Sequence, residues 1–351
     1  MIANKIGGIF LYRVFTFVFI AIIISCQPSI AFAISFQLKQ IMSGALNNNP
    51  QAQDALAKAY YDGKELPKDY TKAALWYGKA ASRGYGPAQI ALGDMYYQGL
   101  GIPQNYTKAA LWYAKASNQD NIEGINKLAK MYCDGLGIPQ NYIKAVQYFS
   151  KAAQKNDPLA QFNLGMMYLQ GQSVPKDITK AINWHEQAAK QNFNPSELAL
   201  AQIYQNKQNG VLNYTKSINW YEKAIRDGNI EALYQLGLLY EEQRYLIQDS
   251  GKSVALFEKA ALQNYAKAQY HLGLLYYTGQ QVTKNIPLAI SWFEKAAKQG
   301  LAVAQYDMGM IYAKGEGKPK NLQQAKYWLY KSCEKKFINA CNAYKILNQN
   351  K

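Results

Sequence analysis

Histidine and cysteine are scarce, with two and four residues among 351. A metal centre needs three or four N, S or O ligands at close spacing. His185 and His271 have no such company, so no metal and no cofactor is expected. Acids are also few, 23 against 39 Lys and Arg, for a formal charge of +16. No apolar run reaches the ~20 residues of a bilayer-spanning helix, and no low-complexity linker divides the chain. Catalytic motifs are incomplete. Gly251-Lys252-Ser253 ends like a phosphate-binding loop, but Leu246 occupies the place of its first glycine. Ser173-Val174-Pro175-Lys176 and Ser332-Cys333-Glu334-Lys335 fit S-x-x-K, yet the partner motifs S-D-N and K-T-G are missing. No catalytic residue is assigned.

Repetition is what the chain has instead. The 36 residues from Ala88 to Glu123 recur without insertion or deletion, in copies starting at Ala52, Ala88, Gly124, Ala160, Ser196, Ala232, Ala268 and Ala304. With Ala88 as slot 1, slot 5 is Leu in every copy but the last, which has Met308, and slot 9 is always Tyr. Slots 1, 5, 8 and 9 share one face of a helix, here helix A. Slot 6 is only Gly or Ala, from Ala57 and Gly93 to Gly309, which points to close helix–helix approach, because Gly costs about 1 kcal/mol against Ala in a helix. Gly63, Gly99, Gly135, Gly171, Gly279 and Gly315 end helix A, and an Asx at slot 18 starts helix B. Helix B buries slots 22, 25, 26 and 29, for example Ala109, Trp112, Tyr113 and Ala116. Neither helix can bury its stripe alone, so stacking of copies must supply the core. Lys207 and Gln243 replace the helix-ending glycine in copies five and six, and Leu256 replaces Trp at slot 25, which predicts looser turns there.

These residues resemble the Sel-one-like repeats, a subclass of tetratricopeptide-like repeats with the pattern A-x-x-x-L-G-x-x-Y-x-x-G and then K-A-x-x-W-x-x-K-A-A. Residues 304–331 carry it as Ala304, Gly309, Tyr312, Gly315, Ala325, Trp328 and Lys331, with Met308 for Leu and Gln324 for Lys. The resemblance implies an all-α, right-handed α-solenoid of eight helix–turn–helix repeats over residues 52–339. It further implies a bacterial scaffold for protein or peptide partners, as in the enhanced-entry and cysteine-rich members, in envelope function or host-cell entry. Some members carry a penicillin-binding or β-lactamase label. A cell-wall-directed enzyme or ligand binder with Ser173 as nucleophile is therefore the alternative. Cys333 and Cys341 match the spacing at which cysteine-rich members bridge adjacent helices, so the resemblance implies a disulfide there; two buried free thiols are the other possibility. Cys133 reads as a plain small side chain.

At the N-terminus, Lys5 and Arg13 precede the apolar stretch 14–25, followed by Ala31-Phe32-Ala33. This is the pattern of a secretory signal peptide over residues 1–33. Ile23-Ile24-Ser25-Cys26 also resembles a lipobox, which would make Cys26 a lipidated N-terminus, and an uncleaved anchor is a third option. A periplasmic or secreted location follows. Residues 34–51 are expected to form a capping helix, and residues 340–351 a polar C-terminal cap. Without Lys5 and Arg13 the charge is +14, but the lysines are tied to slots 21 and 28 on the solvated side of helix B. That reads as a soluble face more readily than as a binding patch for peptidoglycan or an anionic envelope surface. Export argues against nucleic acid, and a monomer is expected. His185 stands in slot 26 among Tyr and Phe, as a packing substitute. His271 stands in slot 4, a variable surface position.

The face of helix A opposite its buried stripe should be polar, yet the later copies make it apolar. Slot 3 holds Phe162, Leu198, Tyr234, Tyr270 and Tyr306; slot 7 holds Met166, Leu238, Leu274 and Met310; slot 10 adds Tyr277. A contiguous apolar face marks an interaction site, and in tetratricopeptide-like arrays this one lines the concave groove. The same side chains could instead pack against the neighbouring helix A. Earlier copies place Asp54, Lys58, Asp94, Asn126, Lys130 and Asp134 there, a charged half. Intact mass of the protein from an envelope fraction should show a chain beginning at Ile34, with two alkylations gained only after reduction. A chain beginning at Cys26 with acyl mass would place it at a membrane instead.

Overall fold

The computed structural model describes residues 36–242 and 250–349; the signal segment, Cys26 and the A–B turn of repeat six lie outside them. The described residues form helices joined by short turns, in two compact units, 1–155 and 156–351. In the first unit α1 (Phe36–Leu46) precedes three A–B pairs: α2 (Pro50–Asp62) with α3 (Tyr70–Ser82), α4 (Gly86–Gln98) with α5 (Tyr106–Ser117), and α6 (Ile122–Asp134) with α7 (Tyr142–Gln154). The second unit has five pairs. These are α8 (Pro158–Gln170) with α9 (Ile178–Ala189), α10 (Asn194–Gln205) with α11 (Tyr214–Arg226), and α12 (Ile230–Glu242) with α13 (Ser250–Leu262). Then come α14 (Ala266–Thr278) with α15 (Ile286–Lys298), α16 (Ala302–Lys314) with α17 (Leu322–Glu334), and a last helix, α18 (Ile338–Gln349). Within each unit the solenoid grows by packing each helix on its sequence neighbours.

Six of the described A–B turns are closed by the same small set of bonds. Gly63, Gly99, Gly135, Gly171, Gly279 and Gly315 take left-handed φ, and each donates its N–H to the slot 8 carbonyl. The slot 18 Asx works twice. Its backbone N–H donates to the slot 9 carbonyl, as Asn105 does to Tyr96 at 2.8 Å, and its side chain accepts from the third residue of helix B, as Asn105 Oδ1 does from Lys108 at 2.9 Å. Such a cap contributes about 1 kcal/mol. Repeat five lacks the slot 12 glycine, but its turn is not loose. A 3₁₀ turn over Lys207–Asn209 ends at left-handed Gly210, and Asn213 N–H still reaches the Tyr204 carbonyl at 2.8 Å.

The lysines of slots 21 and 28 are solvated, but they also cover rings. Lys72, Lys108, Lys144, Lys180 and Lys216 lie 5.0–5.4 Å from the ring centres of the slot 9 tyrosines. Lys79, Lys115 and Lys295 lie 3.9–4.1 Å above Trp76, Trp112 and Trp292. A cation over an aromatic face is worth about 0.5–1 kcal/mol at exposed sites, so the repeated lysines are tied to the repeated aromatics. In the first unit Leu38 and Ala45 of α1 are buried against Leu56. At the other end a disulfide joins Cys333 of α17 to Cys341 of α18; closing so short a loop restricts the unfolded chain by about 2–3 kcal/mol. Cys133 is a half-buried free thiol whose pKa burial pushes up.

The tightest backbone approach is at slot 14. A Cβ on Gly137, whose φ is +72°, would come within 2.2 Å of the Tyr106 carbonyl carbon at the start of the preceding helix B. Gly137→Ala should therefore lower stability by about 2–4 kcal/mol in urea unfolding followed by circular dichroism. Gly78→Ala, at a mid-helix position with open space around it, should raise it by about 0.5–1 kcal/mol.

His185 is fully buried in α9, its ring below Gly165 and its Nδ1 3.3 Å from Ser196 Oγ. Burial pulls its pKa down to about 4. The unfolded chain binds this proton near pH 6.5 and the folded chain only near pH 4, so stability falls as pH drops through that window. The loss at its lower end is roughly 3 kcal/mol. Replacing His185 by Phe, the residue of slot 26 in repeats three, six and seven, should flatten that stretch of the stability–pH curve.

Candidate functional site

Slot 6 and slot 26 set the floor of the helix-A face. A Cβ added at Gly165, Gly237, Gly273 or Gly309 would come within 2.6 Å of His185, Phe257, Phe293 or Leu329. The slot 26 side chain thus lies flat across helix A, fully buried, and its far edge emerges between slots 3, 7 and 10. At two of the three slot 26 tyrosines the hydroxyl meets a polar group of helix A. Tyr113 donates to Asp94 at 2.6 Å, and Tyr221 to Gln205 at 2.7 Å. Where slot 26 is His, Phe or Leu in the second unit, slot 3 supplies an aromatic ring instead.

All ten residues expected to line an apolar groove lie in residues 156–351, and all ten are half-buried. Phe162 on α8 packs edge-on to His185 with ring centres 5.5 Å apart, and 5.8 Å from Phe193. Tyr234 on α12 lies 5.7 Å from Phe257 and 5.6 Å from Tyr265. Tyr270 on α14 lies 5.5 Å from Phe293, and Tyr306 on α16 lies 5.4 Å from Phe337. Leu198 on α10 packs against the Tyr221 cluster, and Leu274 and Tyr277 against the Phe293 cluster. Met166, Leu238 and Met310 occupy the same face.

The packing reading of these side chains therefore holds: they rest on neighbouring helices while staying half-exposed. The slot 3 rings pack on the slot 26 ring of their own helix B and on the residue before the next helix A. They also reach the next helix A itself, where the Tyr270 hydroxyl donates to Asp307 at 2.8 Å. The Tyr277 hydroxyl bonds Glu316 of the following turn. Burial, with the Asp307 charge second, pushes the Tyr270 hydroxyl pKa upward. Burial also raises the Asp307 carboxyl, against the lowering effect of the Tyr270 bond.

Two residues stand elsewhere than the sequence suggested. His271 is no loose surface position. It is half-buried, with Nε2 2.9 Å from Glu241 and its ring 4.3 Å from that of Phe257. Slot 4 faces the preceding repeat, so the pairing of a slot 3 tyrosine with a polar slot 4 one repeat later (Tyr234 with His271, Tyr270 with Asp307) was the available signal. In the first unit, Asn126 is buried rather than displayed, while Asp94 is bonded by Lys127 at 2.9 Å and Lys130 by Asp134 at 3.1 Å.

Among the described residues no group of three His, Cys, Asp or Glu side chains could hold a metal. Ser173 stands in the α8–α9 turn at positive φ. Ser332 is buried, and its hydroxyl donates to the Ala302 carbonyl at 2.7 Å.

The Sel1 repeat model matches residues 50–85, 86–121, 122–157, 158–193, 195–229, 230–265, 266–301 and 302–337. No curated protein sequence matches the chain. Among solved structures, the chain is similar to c5321, a protective antigen present in uropathogenic Escherichia coli strains and displaying an SLR fold. Identity is 32%, TM-score 0.65, and the match covers 89% of this chain and 67% of that one. It is also similar to a Sel1 repeat protein from Oxalobacter formigenes, at 31% identity and TM-score 0.64, over 78% of this chain and 79% of that one. Eight consecutive matches, laid on eight A–B helix pairs, carry one conclusion: the chain belongs to the Sel1-repeat family.

Proposed function

We propose that this chain is an exported, non-enzymatic scaffold that binds a protein or peptide through the helix-A face of residues 156–351. The observation that carries this reading is the row of ten apolar and aromatic side chains left half-buried on that face, where solvated helix surface is ordinarily polar. Its rings are held from below by slot 26 and from the side by slot 34, so the surface is organised before a partner arrives, which lowers the ordering cost of binding. Methionines and leucines between the rings let it adapt to the shape of a partner. The signal-like N-terminus supports export, and the similarity to a protein described as a protective antigen agrees with it. The role in the envelope or in host-cell entry rests on the family resemblance.

The test is retention of partners from a bacterial envelope fraction on the immobilised mature chain. Tyr270→Ala combined with Tyr306→Ala should cut retention of a specific partner at least about tenfold, the loss expected of two aromatic anchors, with the helical circular dichroism unchanged. Tyr270→Phe keeps the ring on Phe293 and should retain the partner. Equal retention by the double variant would remove this face as the contact.

A further inference from the structure

We infer that an apolar pocket in repeat six, formed where the repeat has lost its tryptophan, takes an aromatic side chain presented by a protein partner. Slot 25 is Trp in six repeats (Trp76, Trp112, Trp184, Trp220, Trp292 and Trp328), Tyr148 in repeat three and Leu256 in repeat six. Two intact repeats show what the indole does. Trp292 belongs to a buried cluster with Ala260 and Ala261 of α13 and with Ala268 and Leu272 of α14. Trp328 does the same with Ala296, Ala297, Ala304 and Met308. The indole seat is therefore slots 29 and 30 of the preceding helix B and slots 1 and 5 of its own helix A. In repeat six those positions are Ala224, Ile225, Ala232 and Leu236, so Ile225 fills part of the seat where the two intact examples have Ala261 and Ala297.

At that seat the structure has an open pocket of about 680 Å³, with Ile225, Leu233, Leu236 and Leu256 among its walls. Its size is that of a ligand site. Leu262 stands at its mouth, 76% exposed. The charges fit an aromatic guest. In three of the six repeats with Trp at slot 25 the slot 28 lysine lies 3.9–4.1 Å above the indole; Lys223 and Lys331 turn to Glu197 and Glu334 instead. Their counterpart Lys259 lines this pocket, and its own repeat has no indole for it to cover. Arg226 and Lys252 join it against Glu222 and Glu258, so the lining carries a net positive charge. The guest that complements this setting is a tryptophan or tyrosine with a carboxylate beside it in the partner sequence. The site lies among α11, α12 and α13 and uses none of the ten helix-A face residues, so it stands or falls independently of that face.

The experiment titrates N-acetyl-tryptophanamide, with N-acetyl-leucinamide as control, into the mature chain carrying labelled Ile and Leu methyl groups. Saturating shifts should appear at Ile225, Leu233, Leu256 and Leu262, roughly in the millimolar range expected of so small a ligand, and the leucine probe should bind more weakly. Lys259→Ala should weaken the tryptophan probe about threefold by removing the cation over the ring. Leu256→Trp should fill the seat from within, raise the melting temperature, and abolish the shifts at Ile225 and Leu233. Shifts confined to Leu238 and Leu274, or shifts that survive Leu256→Trp, would overturn the inference. So would a lower melting temperature for Leu256→Trp, since the seat would then not accept an indole.

Discussion

The contact between slot 6 and slot 26 is the constraint on which the rest of the structure depends. A residue of at most one carbon on helix A lets a ring from helix B lie against the backbone, and the two helices close around it. Large side chains at slots 5 and 8 can then meet the neighbouring helix B while the small slot 1 and slot 29 residues are sealed off from water. A bulkier slot 6 residue would push the pair apart, and because each repeat rests on the next the error would pass along the unit. Repeats with Ala57, Ala129 and Ala201 carry the same arrangement, so the limit is one methyl group rather than glycine itself.

That contact also decides what the helix-A face displays. A slot 26 ring long enough to carry a hydroxyl through, as in Tyr113 and Tyr221, must find a polar partner on helix A, because a buried hydroxyl left unpaired costs about 1–3 kcal/mol. Asp94 and Gln205 are those partners. A shorter or apolar slot 26 residue, as in His185, Phe257, Phe293 and Leu329, leaves room above it, and an aromatic slot 3 residue covers the gap. This exchange gives repeats four, six, seven and eight their aromatic slot 3; repeat three departs from it, with Asn126 above Phe149. The proposed partner recognition on the face would be a second use of side chains already needed for packing.

The repeat unit, its helices and its caps were legible because they are local: a glycine that ends a helix or an Asx that starts one acts on its own few residues, and eight copies repeat the message. Contacts between repeats were harder to see. His271 looked like surface because slot 4 is chemically variable, yet it varies with the slot 3 residue of the preceding repeat, which no single copy reveals. Repeat five looked loose because Lys207 replaced a glycine, but Gly210 takes up the left-handed conformation three residues later. The lysines read as a soluble face, which is true of their ammonium groups and incomplete for their position over rings.

Departures from the repeat pattern separate into those that the fold answers and those that it does not. At slot 2, Gln53, Gln89, Gln269 and Gln305 each donate to a carbonyl at the end of the preceding helix, at 3.0–3.2 Å. Repeat five has Glu197 there, fully buried, and a carboxylate cannot donate. The fold answers with Lys223, whose ammonium donates to the Ala189 carbonyl at 3.2 Å and bonds both Glu197 and Asp227. Burial pushes the Glu197 carboxyl upward and Lys223 pulls it back; removing Lys223 would leave the buried carboxylate unpaired, at a cost of about 3–5 kcal/mol. That departure is structural, because Lys223 answers it at the joint between repeats four and five. The change to Leu256 is answered only in part: Ile225 stands at slot 30, where the other repeats have Ala, Ser or Cys, and packs with Leu256, yet an open pocket of about 680 Å³ remains beside them with Lys259 on its wall. Lysines of the same slot cover a tryptophan in repeats one, two and seven, so a remaining apolar space with that cation at its edge is the departure that a guest would account for.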